Sequence, residues 1–175
     1  MRLAAFAIIM SFALPVVASS VTPPALKPDL AAIGFMIGDW QSGDGQVADT
    51  GGTSKGRAII SAEANGAVIL SRAQTKLFDR AGKPAGGFQQ LLSIYPDGGT
   101  LHADYSDGDH LIHYVSADVV PGKSVTFASA AAKGAPVFRL TYELTSPKIM
   151  TISFGMVPPG SMEFHPIAVG TATKK

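Results

Sequence analysis

The chain is expected to fold as an all-β protein, a single antiparallel up-and-down β-barrel of about eight to ten strands behind a short N-terminal helix. Three observations point there. From Phe35 onward, apolar residues alternate with polar ones or fall in short runs, as half-buried strands require. Turn chemistry recurs roughly every 8–12 residues, which suits consecutive hairpins. Almost no stretch keeps the helical period, and no repeat of roughly 20–50 residues signals a propeller or solenoid.

Taken in order, residues 1–20 read as a secretory signal peptide: Arg2, an apolar run over 3–17, then Ala18, Ser19 and Ser20. The run is shorter than the roughly 20 apolar residues a membrane span needs, and Pro15 interrupts it. The mature protein is therefore expected to be exported, periplasmic or secreted, without a membrane span. Residues 21–34 form a leader with three prolines followed by a short helix, capped by Asp29 and ending at Ile33, which we expect to lie as a lid on one barrel end.

Residues 35–175 supply the barrel domain. Strands are expected near 36–48, 56–64, 67–78, 87–95, 99–106, 109–117, 123–130, 136–145, 148–156 and 162–171. Asn65-Gly66 and Asp107-Gly108 suit two-residue hairpins, and Pro96-Asp97-Gly98 a slightly longer one. Gly82-Lys83-Pro84, Pro121-Gly122, Lys133-Gly134 and Pro158-Pro159-Gly160 mark the other turns.

Composition narrows the function classes. The 14 Lys and Arg against 13 Asp and Glu become 13 against 13 once Arg2 is removed, and the charges are scattered. No basic patch invites nucleic acid or an anionic membrane. With no cysteine, the core stabilises the domain without disulfides, and thiol-held zinc, iron–sulfur clusters and covalently attached haem are excluded.

Ile37-Gly38-Asp39-Trp40 after a short helix, followed by Gly43 and Gly45, resembles the Gly-x-Trp start of the calycins: lipocalins, fatty-acid-binding proteins and nitrobindin-like barrels. The stretch from Ile94-Tyr95-Pro96-Asp97-Gly98 to His110-Leu111-Ile112-His113-Tyr114, with Phe138-Arg139-Leu140-Thr141-Tyr142, is similar to an uncharacterised branch of bacterial exported calycin-like proteins. The resemblance implies a ligand-holding barrel in which Gly38 and Trp40 are structural and a basic residue near the C-terminus packs over the Trp. After Arg139 the available cations are Lys148, Lys174 and Lys175, and none is assigned. Nitrobindin-like proteins carry Gly-x-Trp-x-Gly-x-Gly, whereas here Gln41 and Ser42 separate Trp40 from Gly43. Likeness to that branch makes His165 the candidate axial ligand if haem is bound; its neighbour Pro166 suggests instead a surface His at a strand irregularity.

A two-residue turn at Asp107-Gly108 would pair Ser106 with Asp109, Tyr105 with His110, Ala103 with Ile112, His102 with His113 and Leu101 with Tyr114. The face with Tyr105, His110, Ile112 and Tyr114 is the more apolar and is expected to point inward. Tyr105, His110 and Tyr114 are then either the polar group that orients a ligand or a set bonded to one another and to backbone. Further interior candidates are Phe88, Leu92, Phe138, Tyr142 and Phe154. On the outer face, His102, His113 and Asp104 are residue types zinc accepts, but opposed histidines are also ordinary cross-strand pairs.

Arg139 shares a face with Thr141 and Glu143 and is expected outside; a reversed face would make it an anion clamp. Gly52-Thr53-Ser54-Lys55-Gly56 matches the nucleophile-elbow pattern by letter, but a strand is expected after it where that device needs a helix. Gly122-Lys123-Ser124 lacks the first glycine of a phosphate loop, and Glu63, Glu143 and Glu163 alternate with apolar neighbours as solvent-facing positions do. The sequence thus favours a non-enzymatic barrel for a small apolar or amphipathic molecule. A haem- or metal-binding barrel, or an interaction barrel without ligand, is the alternative.

Overall fold

A computed structural model describes residues 24–48 and 50–175, so the expected signal peptide and the start of the leader lie outside the described residues. Ten strands follow in order: β1 (Gly38–Val47), β2 (Gly52–Glu63), β3 (Val68–Phe78), β4 (Pro84–Asp97), β5 (Thr100–Ser106), β6 (Leu111–Val120), β7 (Ser124–Ser129), β8 (Val137–Ser146), β9 (Ile149–Val157) and β10 (His165–Lys174). Each pairs antiparallel with its sequence neighbours, and β1 pairs with β10 to close the barrel. Closure leaves no edge strand, so every strand has a hydrogen-bonded neighbour on both sides.

Closure also sets the faces. Trp40 opposes Lys174 and Ser42 opposes Ala172, and an irregularity between Ser42 and Gln46 takes up the bend of β1. β10 begins three residues later than the alternation suggested and holds Pro166, which is tolerated because the ladder shifts between Pro166 and Ala168.

The N-terminal helix α1 (Pro28–Ala31) begins and ends two residues earlier than expected, and its N-cap is Lys27, so Asp29 sits within the first turn and caps nothing. Pro28 starts the helix because its missing N–H is an orphan there anyway. A 3-10 turn at Gly34–Met36 then delivers the chain into β1. Leu30, Ile33 and Met36 are fully buried, so this segment plugs one end of the barrel. Two backbone bonds tie it across that end: Lys27 N–H donates to Gly66 O at 2.9 Å, and Gly122 N–H donates to Ala32 O at 2.7 Å.

Three hairpins depart from expectation. Gly98 and Gly99 have φ of +55° and +81°, and Asp97 pairs with Thr100, so this is the tight two-residue turn. The Asn65-Gly66 site is wider: Glu63 pairs with Val68 around a four-residue loop in which Ala64 and Asn65 both have positive φ. Ser106 pairs with Leu111 rather than Asp109, so residues 107–110 form a loop and the β5–β6 register moves by two. A slip of two keeps each side chain on its face, because strand alternation has that period.

Candidate functional site

The two halves of the barrel differ. Near α1, the inward residues Trp40, Ile60, Ile69, Ile94, Val125 and Phe127 are almost completely buried and pack as a solid core. Trp40 Nε1–H donates to Met36 O at 2.7 Å, and the Lys174 ammonium lies over the indole, 5.3 Å from its centroid. A Cβ at Gly38 would collide with Lys174 Cε, so Gly38 leaves the room in which that lysine stem lies. This cation is one the sequence left unassigned; only the closing of β1 on β10 brings it to Trp40.

Toward the opposite end, the inward residues become aromatic and polar. Tyr105, Ile112, Phe138 and Phe154 are partly buried against the core, while Leu92 and Tyr114 belong to it, as does Tyr142, which lies beside Val125 nearer the α1 end. The rings of Phe138 and Phe154 stack with centroids 5.9 Å apart. Phe88 is half-buried beside Thr75 at a recess of about 380 Å³ over the β3–β4 hairpin, and a second recess of about 200 Å³ lies between the β7–β8 and β9–β10 loops. Both lie toward the end that α1 leaves uncovered.

His110 is corrected by the register. It does not face Tyr105 from a strand but sits in the 107–110 loop with its side chain 70% exposed. It still reaches the same group, because Asp107 links them. Gln90 Nε2 donates to the Tyr105 hydroxyl at 3.0 Å, and that hydroxyl donates to Asp107 Oδ2 at 3.1 Å. The His110 Nδ1 lies 3.2 Å from either Asp107 oxygen, and Asp107 Oδ1 also accepts from the backbone N–H groups of Asp109 and His110. The result is a chain from the barrel interior to its rim. Gln90 shares the alternation of Phe88 and Leu92, which was the available sign of its inward position; the linking role of Asp107 had none beyond a turn preference.

Electrostatics follow from these contacts. Burial pushes the Asp107 carboxyl up, but the His110 backbone N–H, the His110 ring, the Tyr105 hydroxyl and the Asp109 N–H outweigh it and hold the group below the usual carboxylate range. Burial pushes the Tyr105 phenol up to about 12, against the Gln90 donor and with the Asp107 charge. Tyr114 is raised by burial and by its neighbour Tyr105, and Tyr142 by burial and by both other phenols. The three phenols thus form one uncharged cluster on β5, β6 and β8. Tyr114 and Tyr142 are buried in the core, and among the described residues no fully enclosed side-chain polar atom lacks a hydrogen-bond partner.

The remaining candidates lie elsewhere. His102 opposes Val115 rather than His113 and stacks on Tyr95 at 5.8 Å; His113 Nδ1 is 2.7 Å from Asp104 Oδ1, and Tyr95 donates to Asp104 Oδ2 at 3.1 Å. Asp104 therefore organises an outer-face cluster, and among the described residues no group of three or more His, Cys, Asp or Glu is arranged to hold a metal. His165 opposes Met156 at the rim, half exposed and 4.0 Å from Glu163, which does not fit an axial ligand enclosed over a haem. Arg139 is exposed on the outer face, as expected.

Among the described residues no helix is long and apolar enough to cross a membrane. No family model matches the chain, and no curated protein matches it. Among solved structures, the chain is similar to a protein of unknown function from the DUF3598 family of Nostoc punctiforme, with 10% identity and a TM-score of 0.32 over 86% of this chain and all of that one. At that score the likeness carries no argument, and the barrel assignment rests on the strand pairing of this chain alone.

Proposed function

We propose that this protein is an exported, calycin-like barrel that binds a small apolar or amphipathic molecule in the half that α1 leaves uncovered, without chemistry of its own. One observation carries the reading: Tyr105, Ile112, Phe138 and Phe154 are only partly buried where they pack against the core, an apolar lining with one bonded phenol hydroxyl among it. Apolar walls with few polar groups are the usual composition of small-molecule sites. The calycin part of the reading draws on Lys174 lying over Trp40, the cation that the sequence resemblance required and left unassigned. Barrels of about eight or more strands have interiors wide enough for one small ligand.

Native mass spectrometry of the protein purified from an exporting host tests this. A discrete added mass, lost on extraction with organic solvent and identified as a lipid-like molecule, is the expected result. A bare chain that also fails to take up the neutral fluorophore N-phenylnaphthylamine would overturn it, and a porphyrin would redirect it to haem.

A further inference from the structure

β4 outruns its neighbour on one side. It pairs with β3 from Pro84 to Ile94, but its pairing with β5 begins only at Leu91, opposite Ser106. Residues 84–89 therefore have a strand partner on the β3 side alone. In an antiparallel strand, successive residues direct their N–H and C=O groups to opposite sides, so about half of these groups point away from β3. Among the described residues, no backbone bond other than those to β3 involves residues 84–89, and Gln90 reaches Tyr105 through its side chain. Unbonded backbone along a strand is a template for another strand.

The surface beside this edge is open. Residues 84–87 and Gln89 are exposed, and the recess of about 380 Å³ is lined by Gln74, Thr75, Lys76, Gly87, Phe88 and Gln89. Gly87 opposes Lys76 and puts no side chain into that space. Lys76 is exposed, stands opposite Lys55 and forms no ion pair among the described residues. The edge is guarded only at its start: Pro84 has no N–H to give, and the ladder shifts between Leu77 and Phe78. From Gly87 to Gln89 the pairing with β3 is regular.

We propose that this edge takes up an extended segment of another polypeptide as an added strand along Gly87–Gln89. Backbone bonds hold the segment, and its alternating side chains supply the selectivity. An acidic side chain lies over Gly87 against Lys76, and the apolar residue next to it turns to the other face beside Phe88. Charge complementarity favours such a segment over a second copy of this chain, because residues 84–90 hold no carboxylate to offer Lys76. The proposal is independent of what the barrel interior holds.

The test uses the full chain purified from an exporting host and the probe peptide acetyl-TVEVT-amide, with acetyl-TVKVT-amide as its counterpart. Solvent exchange of alternate amides in residues 85–90, followed by NMR, is expected to slow about fivefold with about 5 mM of the acidic peptide present. Shift titrations are expected to show the acidic peptide binding roughly fivefold more tightly than the basic one. Lys76→Glu, at an exposed position, is expected to reverse that preference, a result that altered folding would not produce. Unchanged exchange along β4, equal affinity for the two peptides, or a preference that Lys76→Glu leaves in place would overturn the proposal. Edge protection that grows with protein concentration in the absence of peptide would also overturn it, by placing a second copy there. Shifts confined to Tyr105, Phe138 and Phe154 would do the same, by placing the peptide inside the barrel.

Discussion

Tyr105, Tyr114 and Tyr142 make the interior sensitive to alkali in a way that single side chains dictate. A phenol in an unfolded chain titrates near 10. In the folded barrel burial lifts Tyr105 to about 12 and moves Tyr114 and Tyr142 in the same direction. The native state therefore holds more protons than the unfolded state in this window, so stability is complete below about pH 10 and falls as pH rises toward about 12. Denaturant titrations at stepped pH, followed by circular dichroism, are expected to show midpoints that decline over that interval. Most tyrosinate absorbance is expected to appear together with loss of structure, and a fully folded protein whose buried phenols titrate at the ordinary value would contradict the burial assigned to them.

At the level of elements, the β5–β6 loop depends on one carboxylate. Asp107 Oδ1 accepts from the N–H groups of Asp109 and His110, and Oδ2 accepts from Tyr105. Replacing Asp107 by Ala is expected to destabilise the fold by about 1 kcal/mol, because a half-buried hydroxyl and two exposed loop N–H groups lose their acceptor. Urea unfolding would measure this, and an unchanged midpoint would show that the loop is held by its strands alone. The same loop marks where the sequence was legible and where it was not. Alternation in residues 100–106 and 111–117 was enough to put Tyr105, Ile112 and Tyr114 inside, because an even register slip exchanges no faces. Asp-Gly is a strong two-residue turn signal, but here the Asp side chain bonds the following backbone and stabilises a wider loop that releases His110 from the strand. The position of Lys174 could not be read locally, since it depends on the last strand meeting the first. Likewise the short helix was legible from its prolines and apolar spacing, whereas its bonds to Gly66 and Gly122 depend on tertiary contacts.

Across the whole molecule, a helix and a 3-10 turn seal one end over a packed core, and half-buried rings line the other. That asymmetry is what turns a closed sheet into a candidate receptor, with Trp40 and its neighbours serving stability and the partly buried Tyr105, Phe138 and Phe154 placed for contact. The outer surface offers a competing site, since Leu91 and Leu111 are 51% and 65% exposed on either side of Ser106. Nuclear Overhauser contacts between bound N-phenylnaphthylamine and assigned side chains separate the two most directly. Contacts to Tyr105, Ile112 and Phe154 and none to Leu91 or Leu111 are expected; contacts confined to Leu91 and Leu111 would place binding on the outer surface and exclude an interior site.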